Sequence, residues 1–226
     1  AFLQPIAMTA VFVLFNLAVN VSLGDINIPY PLFVLSGVML WNLFGNAITA
    51  TSNSVVNNSN ILKKIYFPRI FFPMSSLLVS LFDFFITLLI YIPVMIYYNV
   101  FPNWQIIYIL PVCIILVSLL VLGIGSFFGA LNVKYRDVKY IIPFLVQLLF
   151  FISPVFYSNN QIELPWLQTL YYLNPMTGII ELFRFGLFST PINNFGLILS
   201  IIISLSLFVI GLYYFRKTEY FFADIS

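Results

Sequence analysis

The chain has 226 residues, 62% of them hydrophobic and 7% charged, with a formal net charge of +2. Soluble domains are about a quarter charged, so this composition excludes a water-facing globular surface and calls for an integral membrane protein that binds no nucleic acid. His is absent, which removes the commonest general base and metal ligand, and the single Cys113 excludes an intrachain disulfide.

The first apolar run, "AFLQPIAMTAVFVLFNLAVNVSL", has no positively charged leader and is longer than a signal-peptide core. It reads as a retained helix. Its start at Ala1, directly on the span, implies residues that precede this sequence. A helix needs roughly 20 apolar residues to cross a hydrocarbon core of ~30 Å. Continuous, non-alternating runs meet that test at about 2–23, 31–52, 70–98, 104–131, 140–157 and 194–215. Between the last two lies "LPWLQTLYYLNPMTGIIELFRFGLFST", apolar but interrupted by Pro165, Asn174-Pro175 and Gly178. Its two short pieces, about 160–190, read as an external re-entrant hairpin with its turn at Asn174-Pro175. Pro154 is expected to break the fifth span near its outer end.

Charge selects this count. With both termini in the cytoplasm, the inner segments 53–69, 132–139 and 216–226 carry every Lys and Arg except Arg184, as the positive-inside rule requires. A seventh span would place Arg216 and Lys217 outside. Trp104 and Trp166 fall near the outer interface, where aromatic belts lie. The expected fold is therefore all-α: one transmembrane domain of six helices, a short cytoplasmic coupling helix at about 57–67, and the re-entrant hairpin.

That cytoplasmic helix starts in a Ser/Thr/Asn-rich stretch suited to N-caps, "TSNSVVNNSN", and continues as "ILKKIYFPRIFFP". Ile61, Ile65 and Tyr66 share one face; Lys63 and Lys64 take the other. Such a helix can hold anionic lipid heads, at about 1 kcal/mol per cation, or dock a cytosolic partner; periodicity does not separate the two. No P-loop sequence G-x-x-x-x-G-K-[ST] is present, nor H-E-x-x-H, C-x-x-C or G-x-S-x-G. The chain is no ATPase, and ATP-driven work would need a second subunit.

"LKKIYFPRIFFP" resembles the loop between the second and third spans of type-two ABC exporter permeases, above all the subfamily that exports O-antigen polysaccharide and teichoic acid. The matched positions are Lys63, Lys64, Tyr66, Phe67, Pro68 and Arg69. Four further segments are similar to that family in the same order: "NVKYRDVKYIIP" at Asn132, Val133, Arg136, Asp137 and Val138; "FFISPVFYS" at Ser153, Pro154, Val155 and Tyr157; "YLNPMTGIIELFR" at Asn174, Pro175, Glu181 and Arg184; and "FRKTEYFFADI" at Phe222, Ala223, Asp224 and Ile225. The resemblance covers about 60–226. The family's amphipathic helix before the first span has no counterpart in this sequence.

The resemblance implies a homodimeric permease of the bacterial inner membrane, bound to two cytosolic ATPase subunits that carry ATP and Mg, with a lipid-linked polysaccharide as cargo. It assigns ATPase docking to Asn60, Ile61, Lys63, Lys64, Tyr66, Phe67, Pro68 and Arg69. It implies a pathway lined by the first, second and fifth spans, so Phe12, Phe15, Trp41, Phe44, Phe150 and Phe151 are its candidates, with Glu181 and Arg184 near its outer exit. The spacing of Glu181 and Arg184 also allows an ion pair along one helix. Lys134, Arg136 and Lys139 can anchor topology or attract a lipid diphosphate. Asp83 lies mid-way along the third span, where a carboxylate is costly; the expected reading is a polar contact to Ser or Asn of a neighbouring span. An exporter of drugs or small lipids, and an ATP-independent channel, are the alternatives.

Overall fold

A computed structural model describes residues 3–19, 28–59, 68–135, 137–158 and 171–219. Among the described residues there are seven α-helices and no strand: α1 (Leu3–Val19), α2 (Tyr30–Asn57), α3 (Phe71–Tyr97), α4 (Ile106–Lys134), α5 (Val138–Ile152), α6 (Pro175–Phe188) and α7 (Asn194–Thr218). Four of them, α2, α3, α4 and α7, are long and apolar enough to cross a membrane. Residues 60–67, which hold Asn60, Ile61, Lys63, Lys64, Tyr66 and Phe67, lie outside the described residues, as do Arg136, the first half of the expected re-entrant segment with Pro165 and Trp166, and the tail with Phe222 and Asp224.

α2 is the hub. It touches α1, α3, α4, α5 and α6, and its buried residues run from Leu32 to Val55 with few gaps. The helix runs five residues beyond the expected span of about 31–52, to Asn57. The first part of the Ser/Thr/Asn stretch belongs to α2: Thr51, Ser52, Asn53 and Ser54 bond back to carbonyls three or four residues earlier, at 2.6–3.1 Å, which satisfies these polar groups without leaving the helix. The coupling helix that the stretch is expected to cap lies, from residue 60 on, outside the described residues. Asn132 of α4 then donates to Ser52 O at 3.3 Å and Asn53 Oδ1 at 2.9 Å.

α3 buries Phe72, Leu77, Ser80, Phe84, Thr87, Tyr91 and Met95, one stripe at helical spacing. Its other face exposes Leu78, Phe82, Phe85, Leu89 and Ile92, which suits a lipid contact. α4 and α7 make the most extensive helix–helix contact among the described residues. They meet at glycines: a Cβ added to Gly123 would lie 2.6 Å from the Leu207 carbonyl oxygen, and one added to Gly211 would strike the Gly123 backbone. Helices in lipid associate largely by close packing, which small residues permit. Cys113 is fully buried in α4, its Sγ 3.8 Å from Ile179 O.

The expected fifth span, 140–157, is also shortened. α5 ends at Ile152, because the residue before Pro154 is driven out of the helical region: Ser153 sits at φ −80°, ψ 147°. Fifteen residues span about 22 Å. Only Ile142 and Phe150 of α5 are buried. Asn174 and Pro175 open α6, Asn174 Oδ1 accepting from Met176 N at 3.1 Å and Pro175 occupying the first turn.

A groove of aromatic rings and amides between α1, α2 and α5

α1, α2 and α5 enclose a groove of about 510 Å³. Positions 41, 42, 45, 46 and 49 of α2 form its floor, a stripe about 12 Å long at 1.5 Å per residue. Phe12 of α1 and Pro143, Gln147, Phe150 and Phe151 of α5 form the walls. Gly45 lets α5 approach: a Cβ there would come within 2.9 Å of Val146.

The rings of this groove are joined edge and face. Phe12 stacks on Phe156 at 4.8 Å between centroids and leans on Phe150 at 5.9 Å. Phe150 meets Trp41 edge-on at 5.7 Å and Phe151 at 5.4 Å. The run continues outward through Phe156 and Tyr157 to Tyr171. Offset and edge-to-face pairs of this kind are worth about 0.5–1.5 kcal/mol beyond their burial. Between the rings sit Asn42, Asn46, Thr49 and Gln147, with Gln4 at the α1 end. Rings beside carboxamides suit sugars, whose C–H faces stack and whose hydroxyls bond to amides.

Four of the eight pathway candidates, Phe12, Trp41, Phe150 and Phe151, line this groove. Phe44, one turn on from Trp41 and in ring contact with it at 5.2 Å, lies beside the groove rather than in it, in an adjoining apolar crevice of about 430 Å³ with Ile48, Phe127, Leu149 and Leu207. Phe15 is half-exposed on α1. The groove's amides and Phe156 escaped sequence reasoning. The available signal was Asn42 and Asn46, polar, one turn apart, inside an apolar helix.

Arg184 sits elsewhere and does other work. It is 3% exposed and donates to Pro154 O at 2.7 Å, Val155 O at 2.6 Å, Phe33 O at 3.1 Å and Ser36 Oγ at 3.3 Å. Its guanidinium lies 3.5 Å from the Phe33 ring centroid. The ion pair that the spacing to Glu181 allows is not what its hydrogen bonds make. The break at Pro154 frees carbonyls from the helix ladder, and Arg184 takes them. Glu181 accepts instead from the Tyr172 hydroxyl at 2.8 Å. Gly37 makes the room: a Cβ there would be 2.6 Å from Arg184 Nη2 and 2.8 Å from Val155 O. Asn174 Nδ2 adds a bond to Ser153 Oγ at 2.7 Å. The N-terminal end of α2, the C-terminal end of α5 and α6 are thus tied at one point.

At the other end, Pro68 precedes the turn into α3, and Arg69 donates to the Glu219 carbonyl at the end of α7. Lys134 and Lys139 are exposed, their ammoniums over the neighbouring rings of Tyr135 and Tyr140 at 5.2 and 4.8 Å. Asp83 makes no side-chain hydrogen bond among the described residues, so the expected contact to a neighbouring span is absent, although Asn42 and Asn46 share a cavity with it.

The ABC-2 type transporter family matches residues 1–188. The chain belongs to that family. It is 27% identical over 217 residues to an O-antigen export system permease protein RfbA of Klebsiella pneumoniae, spanning 95% of this chain and 81% of the relative. A permease of the same name from Myxococcus xanthus is 26% identical over 185 residues, spanning 81% of this chain and 69% of the relative. As an ABC-2 chain it is a multi-pass membrane subunit of a transporter, and its aromatic groove lies within the matched segment.

Proposed function

We propose that this chain is the transmembrane subunit of an ATP-driven exporter that moves a lipid-linked polysaccharide of the O-antigen type from the cytoplasm to the outer side of the inner membrane. The observation that carries the reading is the groove of rings and amides on α1, α2 and α5, in a chain similar to O-antigen export permeases. A long glycan needs contacts that repeat and tolerate sequence, and stacked rings offer them.

In the proposed arrangement α1 and α5 also span the membrane, making six spans with both termini inside, and α6 with the segment before it dips in from the outside. Two copies form the pathway. The exposed apolar residues of α5, Tyr140, Ile141, Phe144 and Leu148, support a second copy beside it. Two cytosolic ATPase subunits, carrying ATP and Mg, dock at residues 57–69. Closure of the ATPases would move the spans as rigid bodies. Lys134, Arg136 and Lys139 are proposed to receive the carrier's diphosphate at the inner end of α5.

Co-expression with the cognate P-loop ATPase tests this. A stable complex is expected, with ATP hydrolysis stimulated by the lipid-linked glycan. Replacing Lys63, Lys64 and Tyr66 by Ala should abolish co-purification while leaving membrane insertion intact; retained binding would misplace the docking helix. Trp41→Ala with Phe150→Ala should reduce glycan export about tenfold or more, with the complex still assembled and hydrolysing ATP. Export at the wild-type rate from a well-expressed double variant would remove the groove from the pathway. A second reading, export of a small lipid, rests on the apolar crevice beside Phe44; stimulation by the bare carrier lipid equal to that by the glycan-bearing one would favour it.

A further inference from the structure

A second cavity lies on the opposite side of the α1–α2 contact, bounded by α3. Its volume is about 460 Å³, and its polar lining is Gln4, Asn42, Asn46, Ser80, Asp83 and Thr87. Liquid water occupies ~30 Å³ per molecule, so the chamber could hold roughly a dozen waters. Asp83 is the thirteenth of the 27 residues of α3, which places its carboxylate near the middle of the bilayer in a spanning helix.

The polar groups of this chamber do not satisfy one another. The Asp83 carboxylate has no hydrogen bond or ion pair among the described residues, and Asn42 Nδ2 is buried without a partner. Both hydroxyls bond to carbonyls of their own helix: Ser80 Oγ to Ser76 O at 3.2 Å and Thr87 Oγ1 to Asp83 O at 2.9 Å. No Lys or Arg lines the chamber. α1 carries no charged residue, the titratable groups of α2 and α3 besides Asp83 are Tyr30, Tyr91 and Tyr97, and those of α4, also packed on α3, are Tyr108, Cys113 and Lys134. None of them lines this space. One half-buried carboxyl group at bilayer depth, unpaired among the described residues, therefore faces a cleft of carboxamides and hydroxyls whose mouth carries the exposed Gln4 and Asn46. An isolated ion there is costly and calls for an opposite charge.

We propose that this chamber binds a monovalent cation, with Asp83 as its charged ligand and the carboxamides of Gln4, Asn42 and Asn46, with water, as neutral ones. Oxygen donors suit hard cations. The single carboxylate argues for one unit of charge, since sites for divalent ions commonly recruit more; no group of three or more metal-ligating acidic, His or Cys residues occurs among the described residues. The occupant is an alkali ion. Because α1 and α2 also wall the glycan groove, and Gln4, Asn42 and Asn46 border both spaces, cation binding would fix how α1 sits on α2. This inference does not depend on which cargo is exported.

Thermal unfolding of the full chain in lipid nanodiscs tests it, with Na⁺, K⁺ or Li⁺ exchanged for N-methyl-D-glucamine at constant ionic strength and pH. The proposal predicts a saturable rise in Tm, roughly 3–6 °C at ten times the half-saturating concentration, absent in Asp83→Asn. A wild-type Tm indifferent to all three ions, or an Asp83→Asn response equal to the wild type's, overturns the proposal. Where Asp83→Asn fails to fold, infrared difference spectra of the wild-type chain and of Asp83→Glu replace it. The carboxyl band should respond to the cation and shift in position with Glu; an unresponsive band overturns the assignment.

Discussion

Replacing Arg184 by Met is expected to destabilise the protein by about 3 kcal/mol or more, seen as a Tm lower by roughly 6–12 °C in detergent. The methionine fills much of the space over Phe33 but leaves Pro154 O, Val155 O, Phe33 O and Ser36 Oγ without the donor that now reaches them. Buried acceptors left unmatched cost about 1–3 kcal/mol each, and some will recover part of this through water. Arg184→Lys keeps the charge but not the planar fork that reaches four acceptors, so it should fall between the two. Glu181→Gln should cost clearly less, because the carboxylate is not among the hydrogen-bond partners of Arg184. Equal losses for Glu181→Gln and Arg184→Met would restore the ion pair as the principal contact. The same substitution carries a functional expectation, because the knot holds the C-terminal end of α5, a wall of the groove, against α2.

Gly211→Val is expected to be at least as damaging. Overpacking in a core commonly costs about 1–3 kcal/mol because neighbouring side chains can shift. Here a Cβ would meet the Gly123 backbone, not a flexible side chain. No rotamer relieves that clash; α4 and α7 must separate along the most extensive helix–helix contact among the described residues. Little assembled protein should survive, measured by fluorescence-detected size exclusion after mild solubilisation. Gly211→Val with wild-type yield and Tm would mean that the two helices do not cross at Gly123. A valine at Ile202, exposed on the same helix, is the control, since it alters volume away from the backbone crossing.

Much of this architecture is legible in the residues. Continuous apolar runs mark α2, α3, α4 and α7 within a few positions because length and hydropathy suffice for a spanning helix. Pro154 marks the end of α5, and Asn174-Pro175 the start of α6, because those residue types act on their own backbone. The residues at 51–54 are ambiguous for a physical reason: the same side chains that cap a helix can bond back into it, and packing against Asn132 selects the second use for these four. The placement of the groove on the first, second and fifth helices follows the family resemblance; the share of each aromatic in it does not. Phe44 and Trp41 are equally aromatic and three residues apart, and only the rotation of α2 against α5 sends one to the groove and the other to the crevice.

By itself, then, the sequence determined that this is an apolar multi-pass chain with few charges, and that it carries no P-loop motif; these follow from composition and from local backbone chemistry. Only the tertiary structure decided what Arg184 holds, which side of α2 each ring and amide faces, and that Asp83 opens on a polar chamber. Those outcomes depend on which helix lies across which. A guanidinium bonds to whatever acceptors packing brings within 3 Å, and neither spacing nor hydropathy encodes that choice.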